Sequence, residues 1–324
     1  MRDGFGAAVW RATAPVLAVH GGAGRIVPEE FDVPRAAAAR RGLRQSLTVG
    51  MAVLRDGGSA LDAVVAAVRI LEDDEQFNAG RGAVLTADGG AEHDAAVADG
   101  ASRRAGGVSC VREIRNPVLA ARAVLERTPH VLMSGAGAQA LARREGLAFM
   151  PADWFVTAHR KKQLARLQSS GRAESDSTGG TVGAVALDSE GHLASATSTG
   201  GTIGQLAGRI GDSPLIGAGT WADDRSCAVS ATGDGEALML SVFAHEIDAL
   251  VRLVGLSLGA ACERALREVG DRAGTGGCIA VGPDGTVAMP FTSAGMFRGA
   301  VDATGVHRVG MFADDPGRGR AQYS

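Results

Sequence analysis

The sequence predicts a single-domain α+β sandwich, and three observations lead there. Strand-like runs come first, helical patterns follow, and the second half passes from strands to helices and back to strands. That order does not alternate strand and helix as a doubly wound parallel sheet would. A chain of 324 residues, 45% hydrophobic and 21% charged, has ample material for a globular core. Its 47 glycines, many of them paired, demand tight turns and close backbone approaches.

In chain order, residues 16–20 form an apolar run ending in His20-Gly21-Gly22-Ala23-Gly24, a strand feeding a glycine turn. Residues 34–55 read as a helix, with Pro34 in its first turn and Gly57 beyond its end. A second helix starts at the N-cap Ser59, with Asp62 three residues on and Val64, Val65, Val68 and Leu71 on one face. After the break Phe77-Asn78-Ala79-Gly80, residues 83–86 and 92–97 are expected to pair as a hairpin through Ala87-Asp88-Gly89-Gly90. A strand at 108–114, a helix at 117–127, a short strand at 130–133 and helices at 139–145 and 155–167 complete the first half. Residues 168–180 are polar and glycine/serine-rich, and read as a flexible linker. A strand at 181–188 then returns as 192–198, a strand pair spans 226–240, helices cover 242–253 and 258–269, and hairpins run to 312.

A net charge of −3 gives no reason to expect nucleic acid or a membrane surface as partner. The four cysteines, Cys110, Cys227, Cys262 and Cys278, are scattered without a CxxC pair and read as buried thiols. The N-terminal stretch has no apolar h-region and Asp62 and Arg69 interrupt the best apolar run, so a cytoplasmic location is expected. Gly255-Leu256-Ser257-Leu258-Gly259 fits the G-x-S-x-G pattern of an α/β-hydrolase, with His307 downstream, but the preceding residues read as helix where that motif needs a strand. His20 and His93-Asp94 have no metal-site spacing, and no glycine turn is followed by a G-K-[ST] phosphate loop.

The junction Gly180-Thr181 is different. A loose polar segment stops and a strand begins on threonine, next to a carbonyl that glycine leaves unhindered. An N-to-O acyl shift there, followed by hydrolysis of the ester, would cut the chain. Thr181 would then carry a free α-amine, titrating near ~7.7 to 8.0, beside its own hydroxyl, a nucleophile and base in one residue. The plainer reading is a threonine opening a buried strand.

Taken together, His20-Gly21-Gly22-Ala23-Gly24, the stretch 77–86, the stretch 180–188, Ala196-Thr197-Ser198-Thr199-Gly200-Gly201, the stretch 208–214 and Ala231-Thr232-Gly233-Asp234-Gly235-Glu236 make the chain resemble the plant-type L-asparaginase/isoaspartyl peptidase family, from about residue 16 to 312. These are threonine N-terminal-nucleophile (Ntn) hydrolases, which also include the glycosylasparaginases. The resemblance implies a four-layer αββα sandwich made as a precursor that cleaves itself into an α chain, 1–180, and a β chain, 181–324. It implies Thr181 as nucleophile, Thr199 as its hydrogen-bond partner, and Thr232 and Gly233 as the oxyanion hole. Arg209 and Asp212 would hold the α-carboxylate and α-ammonium of an L-aspartyl group, Gly235 would line the substrate loop, and Asn78 would support the site. It further implies a homodimer of αβ units, no catalytic cofactor, and a structural sodium ion on the backbone carbonyls of Leu71, Glu72, Asp74, Phe77, Ala79 and Arg81, hard oxygen donors suited to a hard cation. The expected activity is release of L-aspartate from the small molecules L-asparagine or β-aspartyl dipeptides. A glycosylasparaginase and a non-catalytic aspartate- or asparagine-binding protein on the same scaffold are the alternatives.

Three positions depart from the family pattern. Asp234 stands where a small or hydroxyl residue is usual, 202–207 lacks the lysine common before the Gly-Arg pair, and Ala294 replaces a frequent glutamate. All three bear on substrate choice.

Overall fold

The computed structural model describes residues 9–27, 33–170 and 180–312. Two sheets lie at its centre. The larger contains β2 (Val16–Gly24), β3 (His93–Asp99), β4 (Arg104–Val111), β5 (Leu132–Ser134), β6 (Val182–Leu187), β7 (Leu193–Thr199), β12 (Gly295–Asp302) and β13 (Arg308–Phe312), in the order β13-β12-β2-β6-β7-β3-β4-β5. The smaller contains β1 (Val9–Arg11), β8 (Thr220–Asp223), β9 (Cys227–Gly233), β10 (Gly276–Val281) and β11 (Thr286–Ala288), in the order β1-β11-β10-β9-β8.

Side-chain alternation along the strands divides the interior into three apolar layers. Leu17 and Val19 of β2, with Ala184 and Ala186 of β6, pack against α1 (Val33–Arg55), α2 (Ala60–Asp73) and α3 (Pro117–Arg127). The alternate residues Val16, Ala18, Val185 and Leu187 face Ile279, Val281 and Phe291 between the sheets. Cys227, Val229 and Ala231 of β9 pack on α8 (Phe243–Arg252) and α9 (Leu258–Asp271). Helices, sheet, sheet and helices make the αββα sandwich that the resemblance implied.

Most elements lie where the sequence puts them. The Ser59 side chain accepts a hydrogen bond from the Asp62 amide, so the expected cap is formed. Ser257 is also an N-cap, of α9, accepting from Ala260 N at 3.5 Å, which removes the α/β-hydrolase reading.

Several expectations are corrected. Residues 83–86 form no strand, because Thr86 closes a local turn back to Gly90 and β3 pairs with β4 and β7. The region 226–240 holds one strand, β9, and then the helix α7 (Gly235–Leu240), because positive-φ Gly233 turns the chain out of the sheet. Of the predicted linker, residues 168–170 continue the helix α6 (Ala158–Ser170), residues 171–179 lie outside the described residues, and Gly180 follows them. The helix expected at 155–167 is divided between α5 (Ala152–Phe155) and α6, and the one at 139–145 starts earlier, as α4 (Gly135–Arg144). Of the four thiols, Cys227, Cys262 and Cys278 are buried and Cys110 is half-buried.

Candidate active site

The inter-sheet layer changes character at one end. Odd-numbered positions of β6 and β7 face this layer, as do even-numbered positions of β9, and here they are hydroxyl-bearing rather than aliphatic. Thr181 lies just before β6 on that face and is buried. Its hydroxyl donates to Thr199 Oγ1 at 3.1 Å and shares a second hydrogen bond with Ser213 Oγ at 3.3 Å. Gly201 N donates to Thr199 Oγ1 at 3.0 Å, so Thr199 is itself oriented. Ser198, of opposite parity, turns away and donates to Glu72 Oε1 at 2.7 Å.

Beneath the threonines runs a buried chain of polar contacts. His20 Nε2 meets Ser230 Oγ at 2.9 Å, Ser230 meets Thr197 Oγ1 at 2.7 Å, and Thr220 Oγ1 donates to Thr197 Oγ1 at 2.7 Å and to the Ser213 carbonyl at 3.0 Å. Burial pushes the His20 imidazole down to about 3, against a raising backbone hydrogen bond with Thr181, so the ring is neutral and acts as a fixed hydrogen-bonding strut.

Thr232 ends β9 on the same face. Its Oγ1 accepts from Ala23 N at 3.1 Å, which leaves its own proton to donate. Gly233 follows at φ +147°, and a Cβ there would come within 2.4 Å of the Thr275 carbonyl, so the position accepts only glycine. Asp234 turns aside: its Oδ2 accepts from Thr275 N at 2.6 Å and from Thr275 Oγ1 at 3.2 Å.

The loop carrying Arg209 and Asp212 closes the opposite wall. Arg209 does not pair with Asp212; its Nε and Nη2 each donate to Glu236 at 2.9 Å in a bidentate fork. Asp212 is buried, and its Oδ2 has no hydrogen-bond partner among the described residues. Burial raises its pKa to about 7, with the nearby Arg209 charge pulling it down and Asp94 and Glu236 pushing it up. A buried carboxyl oxygen left without a partner is costly, and it can accept a hydrogen bond from a donor that enters the cavity. A Cβ on Gly235 would lie 2.8 Å from Arg209 Nη2 and 3.0 Å from Asp212 Oδ1, so glycine there admits both side chains to the site. Thr181, Thr199, Arg209, Asp212, Gly233 and Gly235 all line one cavity of about 580 Å³.

Asn78 braces this wall from outside. Its Nδ2 donates to the Gly201 carbonyl at 2.7 Å, its Oδ1 accepts from Val84 N at 2.8 Å, and Gly200 N donates to its carbonyl at 3.1 Å. Gly180 packs directly on Gly22: a Cβ on Gly22 would lie 2.5 Å from Gly180 Cα. Gly80 and Gly82 pack close on neighbouring backbone: a Cβ on Gly80 would come 2.4 Å from the Glu72 carbonyl oxygen and one on Gly82 2.0 Å from that of Phe77. No group of three or more His, Cys, Asp or Glu side chains that could hold a metal occurs among the described residues, and His93 packs on Phe155 at 4.8 Å between ring centroids.

Ser213, Glu236, Ser230 and His20 join the site without having been singled out for a role by sequence. Ser213 had a signal, since it directly follows Asp212 in a stretch already quoted; Ser230 had the parity of Thr232. Glu236 ends another quoted stretch, but nothing in the sequence links it to Arg209; only the fold brings the two together.

A family model described as asparaginase matches residues 13–311. The chain is 46% identical to the isoaspartyl peptidase of Salmonella typhimurium, over 90% of this chain and 98% of that one. It is 44% identical to the isoaspartyl peptidase of Escherichia coli, over 90% and 96%. It is 37% identical to the probable isoaspartyl peptidase/L-asparaginase 2 of Arabidopsis thaliana, over 91% and 98%. With the site built on one hydroxyl-lined face between two sheets and a match running nearly end to end, the chain belongs to the asparaginase family.

Proposed function

We propose that this chain is an autoprocessing threonine amidohydrolase that releases L-aspartate from L-asparagine and from β-aspartyl dipeptides. The observation that carries the reading is the Thr181 hydroxyl, held between Thr199 and Ser213 in the same cavity as Arg209 and Asp212. The relatives' names support it, being isoaspartyl peptidase or isoaspartyl peptidase/L-asparaginase. They favour it over a glycosylasparaginase or a non-catalytic binding protein.

Maturation begins when Thr181 Oγ attacks the Gly180 carbonyl and the peptide C–N bond breaks to give an ester. Water hydrolyses that ester, leaving a Gly180 carboxylate and a free Thr181 amine. In turnover, substrate carboxylate meets Arg209, exchanging with Glu236, and substrate ammonium meets Asp212 Oδ2. The Thr181 amine takes the hydroxyl proton as Oγ adds to the side-chain carbonyl. The Thr232 hydroxyl and Gly233 N–H donate to the oxyanion, each such donor contributing about 2.7–4 kcal/mol of barrier lowering where measured in other enzymes. The Thr181 ammonium passes its proton to the leaving amine, which departs, and the neutral Thr181 amine so regenerated deprotonates the water that splits the aspartyl ester.

A structural sodium ion on the backbone carbonyls of Leu71, Glu72, Asp74, Phe77, Ala79 and Arg81 is part of this proposal, and melting that rises with sodium but not with choline chloride would support it. Cytoplasmic residence and a dimer of αβ units complete the reading; no described helix is long and apolar enough to cross a membrane. The decisive test is the intact mass of purified protein together with ammonia release from L-asparagine. Expected are two chains joined at 180/181 in the precursor, and no cleavage in Thr181→Ala. A wild-type chain that stays whole, or a Thr181→Ala chain that splits, rules the mechanism out.

A further inference from the structure

The aspartyl part of any substrate occupies only part of the cavity. Arg209 and Asp212 take its α-groups, and Thr181, Thr232 and Gly233 surround its side-chain carbonyl. A volume of about 580 Å³ leaves room beyond a single small amino acid. Part of the remaining wall comes from the end of β2 and from the segment before β12, as Arg25, Thr292, Ser293 and Ala294; Gln163, Thr202, Asp234 and Thr275 contribute elsewhere. Two hydrogen-bonded links fix where Arg25 starts. Ala23 N donates to Thr232 Oγ1, and Gly24 stands opposite Gly295 in the β2–β12 register. Arg25 therefore leaves the sheet two residues from the oxyanion-side contact, beside Ser293 and Ala294, while Arg209 enters from the separate 208–213 loop. Arg25 and Arg209 are the two arginines in the cavity wall among the described residues.

An isoaspartyl dipeptide carries two carboxylates. One belongs to the aspartyl α-carbon and the other to the residue that leaves as the amine. L-Asparagine loses ammonia, which has no carboxylate. We infer that Arg25 forms a second carboxylate subsite, which binds the C-terminal α-carboxylate of the leaving residue of an isoaspartyl dipeptide. A guanidinium matches a carboxylate through two parallel N–H donors. Arg25 makes and breaks no covalent bond; it sets which leaving group is accepted. The inference rests on the amidohydrolase reading above.

The test compares β-aspartyl-leucine, β-aspartyl-leucinamide and L-asparagine with the wild-type enzyme, Arg25→Gln and Arg25→Lys. Wild type is expected to favour the free acid over the amide by about 10-fold in kcat/KM, the scale of one charge-assisted contact. Arg25→Gln should lower kcat/KM for the free acid by about 10-fold and change the amide and L-asparagine less than about twofold, with Arg25→Lys in between. Equal use of acid and amide by wild type, or equal losses on all three substrates in Arg25→Gln, overturns the subsite while leaving the amidohydrolase reading intact. Wild type inactive on all three overturns both.

Discussion

Asp212 carries a charge that depends on what sits beside it. With its pKa raised to about 7 by burial, the carboxyl is largely protonated below neutrality, when no ammonium is present. In the proposed role as ammonium site Asp212 must be ionised, so binding is expected above about pH 7 and should be lost as pH falls through it. Burial is the main cause, with the Arg209 charge pulling the value down and Asp94 and Glu236 pushing it up. Calorimetric titration with the product L-aspartate should therefore give weakening affinity between pH 8 and pH 5.5. A freed Thr181 amine would become protonated over the same span and attract the aspartate side chain, so the titration is run on wild type and Asp212→Asn side by side: an acid-side change of the same size in both proteins excludes Asp212 as the ammonium site. Gly22 gives a second residue-scale test. Gly22→Ala places a methyl on Gly180 in a φ +112° conformation that alanine resists. Cleavage at 180/181 should slow by at least about 10-fold, followed by the appearance of the two chains on a denaturing gel; an unchanged rate would mean that the Gly22–Gly180 contact does not set the geometry of the junction.

At the scale of elements, the substrate loop depends on β3. Glu92, immediately before that strand, accepts from Gly208 N at 2.7 Å and is itself held by Arg112 at 2.8 Å. Asp94, on the same strand face and opposite Thr199, accepts from Cys110 N at 2.8 Å and reaches Gly211 N at 3.5 Å. His93 between them points the other way, onto Phe155. Glu92→Gln weakens the tether on the residue preceding Arg209, so KM should rise about 3- to 10-fold with kcat nearly constant, since a charge-assisted bond becomes neutral. A fall in kcat at unchanged KM would place Glu92 in the chemistry instead. None of this was legible in sequence, because Glu92 reads as one end of a hairpin and its partners are 20 and 116 residues away. What could be read were the local signals: the Ser59 cap, the apolar run at 16–20 and the strand that begins at 181. The nucleophile, its neighbour Thr199 and the Arg209–Asp212 pair came from a motif order spanning the chain. Glu236 on Arg209 escaped because an ion pair 27 residues apart has no sequence period.

Across the whole molecule, the predicted cut falls at an awkward place for separation. Strand β6, which begins at the new N-terminus, lies between β2 of the first piece and β7 of the second. Strand β2 is in turn enclosed by β6 and β12, both from the second piece, and β3 from the first piece pairs with β7. The larger sheet is thus interleaved twice, and Leu17, Val19, Ala184 and Ala186 share one apolar layer across the break. Pulling the pieces apart would break the β2–β12, β2–β6 and β3–β7 pairings and expose that layer, a cost comparable to unfolding the domain rather than to dissociating a surface contact. Cleavage should therefore leave the fold intact and the two chains inseparable in native buffer. Size-exclusion chromatography of fully processed protein should give one peak holding both chains in equal amounts, at a mass that also reports whether αβ units pair. The chains should separate only in denaturant, in the same transition that removes secondary structure by circular dichroism. Native dissociation without loss of that signal would mean that the strand order described here does not persist in the mature protein.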